Sequence, residues 1–430
     1  MAGGRVHFGT FDAERSWRPP DLAELPGAAL RDPGAARSVD TMDELLAAFC
    51  SPGDLLVTRH PIADGIRDGL AALGIGFEHH RTGDADGETV ERRLAAAPDT
   101  PRLFAGYDTL EPWAVRHDTE LLTDRLGRGG ELPRTAAVAE VNSKTWSNAL
   151  VRELGLPGAG RIVRSTEELA SAVAELDHEV VVKDPFGVSG KGTLEVTSPR
   201  VLAAVIRTLD RQADRGRRVE LLVQRRFDGR RDFSANLHVA RDGTWEWTGV
   251  QVMTNRGYRN HVVGPAPDDF TAFLRRGGYP DALAAVAGAL TRAGYWGPAG
   301  VDSMLLTDGT VIPILEINAR RSLGLVALTL DARAAEHGLR CHLSQADLKV
   351  PPGRGVADIV DGLRRAGALY ECGRRPGALI LGGSALASPG GRVHCALFCP
   401  PDEVAATHGR VLAAAEAAGM TPRGGGADAA

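Results

Sequence analysis

Lysine is nearly missing from this 430-residue chain, with four lysines against forty-six arginines. Arginine therefore serves wherever any cation suffices. The lysines that remain mark places where a compact ammonium is wanted rather than a planar fork. Three of them, Lys144, Lys183 and Lys191, fall within one stretch of 48 residues, and Lys349 is the other. A point charge on a flexible stem suits single phosphate oxygens, so the cluster points to a nucleotide site. Cysteine is also scarce. Cys50, Cys341, Cys372, Cys395 and Cys399 are odd in number and scattered, which excludes a disulfide framework. His394, Cys395 and Cys399 lie in an alternating run, VHCALFC, that reads as a strand; no second ligand pair follows at zinc spacing. No apolar run approaches the ~18–20 residues a membrane span needs. The start, MAGGRVHFGTF, lacks a charged region followed by an apolar one, so no signal peptide is expected. A net charge of −5 and the lack of a basic run interleaved with aromatics argue against nucleic acid as a partner. A cytoplasmic globular protein of two to four domains is the expectation.

Residues 1–40, rich in Pro, Gly and Asp, read as irregular. From Met42 the pattern alternates: MDELLAAF helical, DLLVTRH a strand, IRDGLAALG a helix closed by Gly74, IGFEHH a second strand and RLFAGYD a third. Strands alternating with short helices predict a parallel sheet, and the Gly- and Arg-rich stretch Thr123–Pro133 reads as a boundary. A helix capped by Asn142 or Ser143 then runs to Leu154, with Trp146, Leu150 and Leu154 on one face. Eight strand-like segments follow, from RIVR to TVIPILEIN, broken by helices at Glu167–Leu176, Pro199–Gln212 and Tyr279–Ala293. Past Pro351 and Pro352 comes a smaller helix–strand–strand–helix segment and a disordered tail. The bounds are 1–135 for an α/β unit, 136–350 for an α+β unit divided near 160–225 and 226–350, 351–420 for the small segment and 421–430 for the tail.

The segment VVVKDPFGVSGKGTLEV joins a lysine-bearing strand to another strand through a loop holding Gly187, Ser189, Gly190, Lys191 and Gly192. Glycines let backbone N–H groups fold over phosphate oxygens without Cβ obstruction. A Walker A loop would need Gly where Pro185 stands and Ser or Thr where Gly192 stands. A protein kinase would place its lysine after the loop, and a dinucleotide fingerprint would open a helix where GTLEVT reads as a strand. In VIPILEINARRS, side chains two apart share a strand face. Glu316, Asn318 and Arg320 therefore line one side, and Leu315, Ile317 and Ala319 the other. Oxygen ligands of this kind suit Mg²⁺ on ATP phosphates. Asp308–Gly309 is a hairpin signal, and the pairing it implies brings Asp302 beside Glu316.

In this order and spacing, residues 140–325 resemble the ATP-grasp carboxylate–amine ligases, with a narrower similarity to the pheganomycin-type peptide ligases. The resemblance implies a Rossmann-like N-terminal domain, an ATP-grasp fold and a small αββα-like C-terminal segment. It also implies Lys144 and Lys183 as phosphate-contacting lysines and residues 187–192 as the lid loop. Gln224, Arg226 and Phe227 fall at the adenine linker, and Asp232 at the ribose. Asp302, Glu316 and Asn318 match the Mg²⁺ ligands. Arg320, with Lys183, matches the catalytic cations, and Arg321 points to the opposite face. The implied chemistry is ATP-driven activation of an amino-acid or peptide carboxylate and its coupling to an amine, in natural-product biosynthesis; a homodimer is compatible with it. Alternatives are another reaction on the same scaffold, carboxylation or a purine-type ligation, and a nucleotide-binding regulator without turnover. Arg256, Arg259 and His261 in TNRGYRNH, a polar segment between strands, are candidates for holding a substrate carboxylate. Arg59 and His60 read as surface residues, and His79 and His80 as structural.

Overall fold

The computed structural model describes residues 3–25, 39, 41–83, 88–177, 179–187, 192–256, 259–371 and 375–423, with backbone only at 255–256 and 259–261. The loop residues Ser189, Gly190 and Lys191 and the side chains of Arg256, Arg259 and His261 lie outside what is described.

Four strands form a parallel sheet: β1 (Gly4–Phe8), β2 (Leu55–Thr58), β3 (Glu78–Arg81) and β4 (Tyr107–Pro112), in the order β3-β2-β1-β4. The N-terminus is thus not irregular as expected. GRVHF is an interior strand whose Val6, His7 and Phe8 are buried, and a short helix spans Ala13–Trp17. Five residues are too short a run to show a period, and the Pro- and Gly-rich stretch after them masked the signal. RLFAGYD also divides differently. Thr100–Phe104 is helical, with Pro101 in its first turn, and the strand begins at Tyr107. Phe8, Val57, Phe104, Leu110 and Leu122 pack as one core on this sheet.

A second sheet holds β5 (Arg161–Val163), β6 (Val180–Lys183), β7 (Thr193–Val196) and β8 (Leu221–Arg225), antiparallel in the order β5-β8-β6-β7. Val180, Val182, Leu221 and Val223 face a core with the helices Thr166–Ala174 and Pro199–Ala213. Alternation therefore turns Val181, Lys183, Leu222 and Gln224 to the other face.

The third sheet is the largest, nine strands: β9 (Gly229–Val239), β10 (Trp245–Arg256), β11 (Arg259–Pro265), β12 (Gly297–Leu306), β13 (Val311–Asn318), β14 (Arg340–Lys349), β15 (Gly377–Gly382), β16 (Gly390–Cys399) and β17 (Thr421–Pro422). Its order is β13-β12-β9-β10-β11-β14-β16-β15, with β17 beside β14. The C-terminal strands β15 and β16 thus extend the sheet that bears the acidic strands. TNRGYRNH is not a loop between elements, because its ends continue β10 and β11 as an antiparallel hairpin. Cys395 and Cys399 are buried in β16, as a structural strand requires.

One face of β9 carries Phe233, Ala235 and Leu237, buried under the helices Asp268–Arg276 and Tyr279–Arg292, with Phe233 edge-on to Phe270 at 5.2 Å. The opposite face shows Asp232, Ser234 and Asn236. That polar stripe looks into the cleft.

Candidate active site

The helix Lys144–Glu153 starts where expected, with Ser143 as N-cap, its side chain accepting from the Thr145 N–H at 3.3 Å. Leu154 departs from the expected apolar face: it is 36% exposed, while Ser147, Leu150 and Val151 are buried. Asn142 takes a different part. Its Oδ1 accepts the Ala319 N–H at 2.9 Å, and Ser147 Oγ accepts the Ile317 N–H at 3.1 Å. Strand β13 lies at the sheet edge, so those amides have no neighbouring strand. Side chains of the preceding helix satisfy them, which holds β13 against slippage and docks Lys144 onto it.

Lys144 Nζ donates to Glu316 Oε1 at 2.9 Å and to the Gly187 carbonyl at 2.5 Å. The Lys144 N–H donates to the Pro185 carbonyl at 3.0 Å. One lysine therefore touches both the acidic strand and the base of the glycine loop. The loop closes on itself: Asp184 N–H donates to the Gly192 carbonyl at 2.7 Å. A Cβ on Gly192 would stand 2.9 Å from the Gly187 Cα, and the Gly192 φ is +87°. Only glycine suits that position.

Asp302 does lie opposite Glu316, as expected, but the turn at Asp308–Gly309 alone does not put it there. The turn pairs Met304 with Ile312, and an irregularity between Met304 and Asp302 then shifts the register to Asp302↔Glu316 and Gly300↔Asn318. Asn318 Nδ2 donates to Asp302 Oδ2 at 3.0 Å, and Arg320 Nη2 donates to Asn318 Oδ1 at 3.0 Å. Burial and the adjacent Glu316 carboxylate raise the Asp302 carboxyl to about 6. Burial is also the main force lowering Lys183, to about 8, with Lys144 adding to it while Glu316, Asp302 and Asp232 oppose it. Lys144, Lys183, Asp232, Asp302, Glu316, Asn318 and Arg320 therefore form one electrostatic unit.

Gln224 lies on the same sheet face as Lys183, buried, with Nε2 donating to the Gly158 carbonyl and Oε1 without a partner. Arg226 and Phe227 sit apart from this group. Arg226 is largely exposed and pairs with Glu195 at 3.6 Å. Phe227 borders an outer depression with Gly158, Val223 and Arg225.

Several site residues carried no signal in the sequence. Glu14, on the short N-terminal helix, accepts from Arg320 Nε at 2.8 Å. Arg18 reaches Asp184 Oδ1 at 2.6 Å, so the N-terminal segment ties to both the arginine and the loop base. Arg321 faces away from Arg320, as alternation predicts. It contacts Glu111, sits 4.3 Å over the Phe49 ring, and donates through Nη1 to His7 Nδ1 at 3.2 Å. Burial, then Arg321, lowers His7 to about 3, so it stays neutral with Nε2 directed at Asp54 Oδ2, 3.3 Å away. Arg59, expected at the surface, is buried at the end of β2, where its N–H donates to Asp43 Oδ2 at 2.6 Å. In the cleft, Asn236 Nδ2 donates to Gln251 Oε1, and Ser322 Oγ to Asn236 Oδ1 at 3.0 Å. Partners so distant in sequence have no spacing to betray them.

No protein-family model matches the chain. It is 25% identical over 236 residues to the [butirosin acyl-carrier protein]–L-glutamate ligase of Niallia circulans, a stretch covering 53% of this chain and 54% of that protein. The chain thus spans about half the length of this curated relative. Among solved structures it resembles the N5-carboxyaminoimidazole synthase of Aspergillus clavatus in complex with ADP and 5-aminoimidazole ribonucleotide. There the TM-score is 0.54 and the identity 14%, with 97% of this chain and 99% of that one covered. The biotin carboxylase of Campylobacter jejuni gives a TM-score of 0.54 at 11% identity, covering 93% and 88%. The likeness runs through all three sheets, and what it establishes is the architecture: this chain has the ATP-grasp fold.

Proposed function

We propose that this protein is an ATP-dependent ligase that joins the carboxylate of an amino acid or peptide to an amine. The observation that carries the reading is the meeting of Lys144 and Lys183 with the Asp302–Glu316 pair across the cleft. A carboxylate oxygen of the substrate attacks the γ-phosphorus of ATP, ADP leaves, and an acyl phosphate forms. The amine nitrogen then attacks the acyl carbon, phosphate departs and the nitrogen loses a proton. The first step brings anions together, so positioning and charge neutralisation are what the protein must supply. Lys183 and Lys144 face the phosphates, beside Gly187 and Gly192, which Asp184 holds at its backbone. Gln224 Oε1, buried and without a partner, accepts from the adenine amine on this reading. Arg320 faces the transferring phosphoryl group.

The donor set suits Mg²⁺. Two carboxylates share a register position, and burial, then the neighbouring Glu316, drives Asp302 toward its neutral form against Arg320 and Lys144. Asp302, Glu316 and Asn318 would hold the ion, which draws charge from the phosphate oxygens when bound.

The curated relative is itself a ligase that takes L-glutamate, which supports an amino-acid substrate and a role in antibiotic-type biosynthesis. Full-length likeness to carboxylating enzymes, one recorded with bicarbonate, favours bicarbonate activation as a second reading. A hydroxamate screen separates them. With ATP, hydroxylamine and a panel of amino acids and short peptides, trapping of one acid supports the ligase. ADP release that depends on bicarbonate and on none of these acids supports the second reading.

A further inference from the structure

Beside the cleft lies a small cavity of about 30 Å³, lined by Leu45, Val263, Leu323, Leu343, Ser344, Gln345 and His394. Strand register shows which face of the large sheet it occupies. Met304, Asp232, Met253, Val263 and Leu343 are successive cross-strand partners, so they form one row on one face. Asp302, Ser234 and Gln251 form the adjacent row on that face. The cavity therefore opens from the same surface as the acidic pair. It lies three strand spacings from β12, ~14 Å at about 4.8 Å each.

Beside β11 and β14, three other parts of the chain form its walls. Leu45 belongs to the 3₁₀ helix Met42–Phe49, whose Phe49 lies under Arg321. Leu323 opens the helix Leu323–Ala335, directly after Ser322 and the two arginines. His394 reaches it from β16, across from Gln345. His394 is 6% exposed, and its Nε2 has no hydrogen-bond partner. Burial holds that imidazole neutral, its pKa lowered to about 3. A buried ring nitrogen without a partner is costly unless something arrives to meet it.

We propose that this cavity is a specificity pocket for a short side chain on the part of the substrate distal to the reacting carboxylate, with His394 Nε2 meeting its one polar group. The inference rests on the ligase reading above and adds to it a residue class. Alanine-, serine- and threonine-sized groups fit the space between Val263, Leu323 and Leu343. Leucine and phenylalanine do not. Because the pocket stands ~14 Å from the acidic strand, the side chain it takes lies three or four residues from the bond being made.

The test is calorimetric binding of tetrapeptides in which one position in turn carries Ala, Thr, Leu or Phe and the others are Gly. Wild type is expected to discriminate at least tenfold in favour of Ala and Thr at one terminal position. His394→Ala and Leu343→Ala should each cut that discrimination to under threefold by admitting Leu. His394→Ala should also remove the advantage of Thr over Ala. The proposal is overturned if no position discriminates, or if the discrimination survives unchanged in variants that melt like wild type. Should one variant not fold, the other decides. Binding needs no turnover, so failure here is distinct from failure of the hydroxamate screen to trap any acid.

Discussion

Lys144 and Glu316, 172 positions apart in the chain, meet at 2.9 Å, and the same ammonium holds the Gly187 carbonyl at the base of the glycine loop. Loop position and acidic strand are therefore linked through one side chain. On the proposed ligase reading, a triphosphate entering the cleft competes with Glu316 for that ammonium.

Glu316→Ala should abolish Mg-dependent ADP formation while leaving the fold intact, read by circular dichroism and coupled ADP release. Retained turnover would show that the acidic pair is not the metal site.

Asp302 carries a stability signature. Its folded carboxyl lies at about 6, above its ordinary value of 3.8. Where the fold keeps that carboxyl protonated and the unfolded chain has already ionised, each rise in pH favours the unfolded chain. The nucleotide-free protein should therefore lose stability as pH rises from about 4 to about 6. Asp302→Asn should melt higher than wild type above pH 6, with the gap closing toward pH 4. Melting curves across that range check it; an Asn variant less stable at pH 7 would refute the claim that burial and Glu316 disfavour the ionised form.

Lys183 titrates near 8 in the free protein. Nucleotide affinity should fall as pH rises past that value, because the ammonium that meets the phosphates is lost. Lys183→Arg should stay protonated throughout, yet turn over at least a hundredfold more slowly, since a planar fork does not reproduce a point contact. Affinity measured by calorimetry from pH 7 to 9.5, beside steady-state rates, tests both parts.

Gly324 sits against Gln251, where an added Cβ would fall 1.7 Å from Nε2. Gly324→Ala should therefore break the Asn236–Gln251 contact and cost about 1–3 kcal/mol. If the polar stripe of β9 and β10 binds substrate, KM for the acid should rise more than KM for ATP. An equal effect on both would place these residues in the scaffold only.

Much of the site was legible from residue type and spacing. Scarce lysines singled out Lys144 and Lys183, which the fold brings to the same acidic pair, and strand alternation gave the face shared by Glu316 and Asn318. The Asp308–Gly309 turn signalled the hairpin that carries Asp302 and Glu316, although their pairing also needs the irregularity between Asp302 and Met304, which the sequence did not show. These are local relationships, carried by neighbours along one segment. What only the folded chain decided is how distant segments meet. Strand β1 took the interior of the parallel sheet although five residues show no period. Asn142 and Ser147 cover the open edge of β13, Glu14 pairs with Arg320, and Arg321 joins His7 and Glu111. Each of these answers a buried donor or charge that some group had to satisfy. Burial creates that demand, and burial exists only once the sheets have packed.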